Sequence, residues 1–155
     1  MKLRKQTLWR VPVFCLVSGL VSYYLTIYVG GSTVIAGSPM RAFLFSSVLF
    51  IIILLVGGLW FLRSMTKAEI AVSASIASVM FLAIALTQLY WPGFPITLSF
   101  RLAIIQNWVS TMASLFQKIT GRYALSVILS NLAPLLFIPF GKKPRRRRQR
   151  PAMKF

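Results

Sequence analysis

The chain contains no histidine, one acidic residue (Glu69) and one cysteine (Cys15). Each scarcity removes a class of chemistry. A zinc site needs several Cys and His ligands, and a calcium or magnesium site needs clustered oxygen donors, carboxylates above all. Neither set is available, so we expect no metal and no cofactor. A lone thiol excludes a disulfide within the chain. General acid–base catalysis needs positioned titratable groups, and a serine nucleophile needs a base beside it. The serines here have no such base, because the lysines lie at the edges of apolar runs and stay charged. We therefore read the chain as having no catalytic residues and as not being an enzyme. Proton-coupled transport is weakened by the same facts, since its relays use Asp, Glu or His inside the membrane.

Charge is also scarce overall. Charged residues make up 12% of the 155 residues, against 57% hydrophobic. A soluble domain of this size needs a polar surface, and these residues are too few to make one. The apolar residues instead fall into long runs, with the charges between or outside them. The expected fold is an all-α integral membrane protein with four transmembrane helices, over about 11–29, 42–62, 68–90 and 123–140. A fifth, amphipathic helix over about 100–118 is expected to lie in the interface between spans three and four. Residues 1–141 then form one membrane domain, and 142–155 a basic cytoplasmic tail that is expected to be disordered.

Local signals support these bounds. Trp9 and four basic residues (Lys2, Arg4, Lys5, Arg10) precede the first run, which ends in Tyr23, Tyr24 and Tyr28. Those tyrosines suit a membrane interface, and the run is longer than the core of a cleaved signal peptide. Cys15 follows Phe14, which does not fit a lipoprotein site. Gly30, Gly31, Gly37 and Pro39 mark the first connection. Before the third run, Thr66-Lys-Ala-Glu69 reads as a capping box, with Thr66 and Glu69 as the reciprocal partners. This gives the sole carboxylate a structural task. The third run stops at Trp91-Pro92-Gly93.

In the amphipathic segment Leu102, Ile105, Trp108, Val109, Met112, Leu115 and Phe116 recur at helical spacing. Gln106, Asn107, Ser110, Ser114 and Gln117 take the other face. The last run is short and interrupted. Asn131 sits mid-span, and Pro134 deprives the Ser130 carbonyl of its helical donor. Gln88 and Asn131 are the polar intramembrane candidates for a site, because a kink with a polar lining suits a small pore or a lipid-headgroup cavity. Small residues recur on three runs: Ala71, Ala74, Ser75, Ser78 and Ala85, then Ser18 with Ser22, then Ser126 with Ser130. They suit close helix packing within the chain.

The net charge is +17, from 18 Lys and Arg against one acid. With four spans and the N-terminus inside, Lys2, Arg4, Lys5, Arg10, Arg63, Lys67 and the whole tail are cytoplasmic. Only Arg41, Arg101, Lys118 and Arg122 are left outside, as the positive-inside rule asks. A bacterial cell membrane with both termini cytoplasmic is the expected location. Lys142, Lys143, Arg145, Arg146, Arg147, Arg148 and Arg150 are expected to contact anionic lipid. The leading functional expectation is a non-enzymatic accessory or interaction subunit, with a protein partner or as a homo-oligomer. A small oligomeric channel or transporter is the first alternative. A membrane-tethered binder of nucleic acid or ribosomes, acting through the tail, is the second.

Overall fold

An apolar run that meets no water must satisfy its own backbone, and the helix does so within one segment. The four runs follow that rule in a computed structural model that describes residues 5–30, 39–91 and 93–142. The elements are α1 (Lys5–Leu8), α2 (Arg10–Gly30), α3 (Pro39–Val56), a π-helical turn (Gly57–Phe61), α4 (Lys67–Tyr90), α5 (Ile96–Thr120), α6 (Tyr123–Ser130) and a 3₁₀ helix (Ala133–Phe140). No strand occurs among the described residues. One isolated bridge pairs Thr66 with Lys142. Four segments are long and apolar enough to cross a membrane: Arg10–Val29, Phe43–Phe61, Lys67–Tyr90 and Tyr123–Phe140. This is consistent with an integral membrane protein. The tail residues Lys143, Arg145, Arg146, Arg147, Arg148 and Arg150 lie outside the described residues, as does the expected disorder of that tail.

The second span changes pitch where two glycines meet. The Leu62 N–H donates to the Gly57 carbonyl, five residues back, at 2.9 Å. A Cβ on Gly57 would collide with the Phe14 ring and stand 2.9 Å from Phe137 Cε1, and one on Gly58 would collide with the Phe140 ring. The missing side chains thus admit aromatic rings from the first and last spans. Phe14 meets Phe137 edge-on, with centroids 5.6 Å apart.

At the same end three distant segments converge. The Arg10 guanidinium donates to Ser64 Oγ at 2.8 Å. Lys142 N–H donates to the Met65 carbonyl at 3.0 Å, and Lys67 N–H donates to the Lys142 carbonyl at 3.2 Å. Just below, Ser73 Oγ accepts from the Val11 N–H at 3.2 Å and donates to the Leu8 carbonyl, serving the end of α1 and the start of α2. The capping box is formed: Glu69 N–H donates to Thr66 Oγ1 at 3.4 Å, and Thr66 N–H donates to a Glu69 carboxylate oxygen at 2.9 Å.

The core joins Val11, Cys15, Phe50, Ile53, Ile70, Ala74, Phe81, Trp108 and Phe137. Of the small residues, Ala74, Ser78, Ala85, Ser18, Ser22, Ser126 and Ser130 are buried inside the chain, whereas Ser75 faces outward. The outward faces between the helix ends are apolar: Val13, Val17 and Leu20 on α2, Val48, Ile51 and Ile52 on α3, Val72 and Val79 on α4.

One element differs from the sequence expectation. The last span is not one helix. It is an α turn pair followed, after Asn131 and Leu132, by a 3₁₀ helix that carries Pro134 and Pro139. Pro134 cannot donate to Ser130, so the α pattern ends there. At ~2.0 Å per residue the 3₁₀ stretch covers ~16 Å, where eight α residues cover ~12 Å, so a run near the lower limit for a span gains reach. The segment expected to be an amphipathic helix is helical over Ile96–Thr120, as α5. It packs against α2, α3, α4 and α6. Trp108 and Val109 are buried, and two residues from the polar face, Gln106 and Asn107, are bonded to other helices.

Candidate functional site

Polar side chains inside an apolar bundle must find partners or bear the full cost of desolvation. Several of those on α4, α5 and α6 meet around one cavity of about 330 Å³. Each helix contributes one face to it. From α5 come Ala103, Gln106, Ser110, Ala113 and Gln117, spaced alternately three and four apart. α4 gives Ala85 and Gln88, one turn apart. Tyr123, Val127, Ser130 and Asn131 come from α6 and the residue that ends it. The hairpin that presents α5 to α6 turns at Gly121, whose φ of +65° is left-handed and suited to glycine.

Asn131 is held at the break in the last span. Its side-chain amide nitrogen donates to the Val127 carbonyl at 2.7 Å, and its backbone N–H reaches the same oxygen at 3.3 Å. Ser130 Oγ donates to that carbonyl too, at 2.8 Å. Gln106 ties the cavity wall together. Its Nε2 donates to the Phe81 carbonyl on α4 at 2.9 Å and to Asn131 Oδ1 at 3.3 Å. Ser110 Oγ donates to the Asn107 carbonyl at 2.6 Å. Gln88 Nε2 donates to the Ser99 carbonyl at 3.3 Å and closes the upper side. A second hollow of about 310 Å³, bordered by Trp91, Phe94, Ile96 and Phe100, shares Gln88 and Ala103 with the first.

The residues singled out in the sequence therefore separate into groups. Gln88 and Asn131 line one cavity. Thr66 and Glu69 form the cap at the other end of α4, and Lys142 is exposed beside them. The sequence reading missed Gln106, Ser110 and Gln117 as site residues. Their spacing on one helical face was visible, but it carries no mark of what that face meets. Asn107, of the same polar set, leaves the cavity and donates to Ser22 Oγ on α2 at 3.0 Å.

The wall of the cavity is carboxamide, hydroxyl, phenol and small apolar groups. Such a wall offers hydrogen-bonding groups. Elsewhere, Trp108 Nε1 and Ser78 Oγ are buried without a hydrogen-bond partner. Trp108 stacks on Phe50, with centroids 5.5 Å apart and planes 14° apart, so packing fixes its ring where no acceptor reaches. Compared with known proteins, the chain matches no family, no curated protein and no solved structure.

Proposed function

We propose that the protein is a non-enzymatic membrane protein, an accessory or interaction subunit that holds a polar group of a ligand, such as a lipid headgroup, in the cavity between α4, α5 and α6. The observation that carries this reading is the wall itself, where Gln88, Gln106, Ser130 and Asn131 gather inside an apolar bundle. Carboxamides are costly to bury and are tolerated where they are bonded or line a cavity.

Insertion through four spans is supported by the apolar outward faces and by the aromatic residues near both ends. Trp9 and Trp60 stand near one end, and Tyr24, Tyr28, Tyr90 and Trp91 near the other. Amphipathic rings favour the headgroup level. The convergence of Arg10, Ser64 and Lys142 supports both termini lying on one side, and the basic excess there supports the cytoplasmic side. We place α5 against the bundle rather than flat on its surface, since its carboxamides bond to α2, α4 and α6.

Native mass spectrometry of the gently extracted protein tests the proposal. A retained lipid, or a stable complex with a different protein, is the expected result. A protein that sheds all lipid and all partners would argue against it. The shared border of the two hollows at Gln88 and Ala103 favours one second reading, a small oligomeric channel or transporter. Flux of a small polar solute into liposomes that carry the purified protein would support that reading over the first.

A further inference from the structure

At the end of the bundle where α2 starts and the π-helical turn finishes, positive charge and an apolar hollow lie side by side. The hollow measures about 380 Å³ and is lined by Phe14, Val56, Trp60 and Phe61. Val56, Trp60 and Phe61 are exposed, Trp60 most of all at 84%, so the hollow opens outward. Gly57 admits the Phe14 ring at the base of the turn. Two contacts fix what stands above. The rings of Phe14 and Phe61 lie 5.3 Å apart, which holds α2 against the end of the turn. Arg10, one turn before Phe14 and on the same face of α2, donates to Ser64 Oγ at 2.8 Å. The pair Arg10 and Ser64 therefore sits one step beyond the pair Phe14 and Phe61, and Arg63 is the chain neighbour of Ser64.

Both arginines are exposed, and Ser64 engages one nitrogen of the Arg10 guanidinium. The sole acidic residue, Glu69, is bonded to Thr66 in the cap. A guanidinium pairs with a phosphate through parallel N–H bonds. Lys67 and Lys142, joined through their backbones at 3.2 Å, add charge at the same end and disfavour a headgroup that ends in a cation. The hollow below suits a hydrocarbon chain. A soluble phosphate would leave it unfilled, and an apolar protein segment would leave the arginines unmatched. A lipid whose anionic phosphate adjoins its acyl chains meets both demands. We infer that Arg10 and Arg63 hold the phosphate of an anionic membrane phospholipid, with one acyl chain in the hollow between Phe14, Val56, Trp60 and Phe61. This site is separate from the cavity between α4, α5 and α6, and it rests only on insertion of the chain in a membrane.

The test offers the full chain in detergent equal amounts of phosphatidylglycerol and phosphatidylcholine with identical acyl chains, and reads bound lipid by native mass spectrometry. Phosphatidylglycerol should be retained about tenfold over phosphatidylcholine, and Arg63→Gln should remove most of that preference, as expected for losing a charge-assisted hydrogen bond. Arg10→Gln should act in the same way. The Arg63 variant keeps the test open if loss of the Ser64 contact unfolds the other. Val56→Trp, which fills the hollow from an exposed position, should lower retention of both lipids. Arg101→Gln, the same change of charge on α5, should alter neither.

An equal loss with Arg101→Gln would make the preference one of net charge and overturn the site. Loss only when Arg146→Gln is combined with Arg147→Gln would assign the lipid to the tail. Loss only with Gln106→Leu would assign it to the cavity between α4, α5 and α6, which overturns this inference and leaves the proposed function standing. A dimer that Val56→Trp separates would assign the hollow to a second copy of the chain. Glycerophosphoglycerol, the same headgroup without acyl chains, should not displace the lipid when added in excess. Displacement would show that the hollow holds no chain.

Discussion

Gln106 Nε2 lies 3.3 Å from Asn131 Oδ1, and this contact joins α5 to the break in the last span. The same nitrogen holds the Phe81 carbonyl of α4 at 2.9 Å. One side chain therefore fixes the positions of three helices around the cavity. A double-mutant cycle with Gln106→Leu and Asn131→Leu should give a coupling of about 0.6 kcal/mol, the average for hydrogen bonds between membrane helices. Gln106→Leu alone should cost at least as much as Asn131→Leu alone, because it strips a donor from the Phe81 carbonyl, whereas the Val127 carbonyl keeps the Ser130 hydroxyl and the Asn131 N–H. Unfolding in mixed micelles measures both. Zero coupling would show that the contact does not form.

The crossing of α2 and α5 leaves no room at Gly19, where an added Cβ would collide with the Ile105 carbonyl oxygen. Gly19→Ala should destabilise by at least the ~1–3 kcal/mol typical of overpacking. Gly57→Ala should cost less, because its neighbours there are the rings of Phe14 and Phe137, which can rotate. Melting of the two variants in one detergent gives the order, and the reverse order would count against this helix crossing.

At the start of α4 the cap can be divided by substitution. Thr66→Ala should cost about 1 kcal/mol, and Thr66→Ser much less, since the hydroxyl is the group that accepts from Glu69 N–H. Glu69→Gln should be nearly neutral, because glutamine can serve the same reciprocal bond. A severe loss from Glu69→Gln would instead assign the carboxylate a task beyond capping.

Single cysteines in a Cys15→Ser chain test the arrangement of the ends. Ser64→Cys and Lys142→Cys should react with an impermeant thiol reagent from the same, cytoplasmic face. Tyr28→Cys, 84% exposed at the far end of α2, should react only from the opposite face. Ser64 and Lys142 labelled from opposite faces would contradict the contacts at Met65 and Lys67.

The four long apolar helices were legible in the sequence because their apolar runs are long and nearly free of charge, as Phe50 to Val56 shows. The cap at Thr66 and Glu69 was legible because its bonds are local. Asn131 stood out as a polar residue three positions before a proline. Its partner did not, since Gln106 lies in a polar stripe that reads the same whether it faces water or a cavity. The difference is set by α6, which folds back over α5 through Gly121, and such a contact leaves no periodic trace. The pitch of residues 133–140 was hidden for a related reason. Pro134 announces that the α-helix ends but not which conformation replaces it. The π turn at Gly57 and Gly58 answers to rings from other spans.

The bridge between Thr66 and Lys142 also has a consequence in time. It joins residues separated by almost half the chain, and a ribosome makes the protein from the N-terminal end. The first three long apolar helices can associate while Lys142 is still unmade. The end where Arg10, Ser64 and Lys67 gather therefore stays open throughout most of synthesis. Until the last span arrives, α4 waits without the neighbour that covers much of its length. The contact then closes late, as a latch made only once Lys142 has been added.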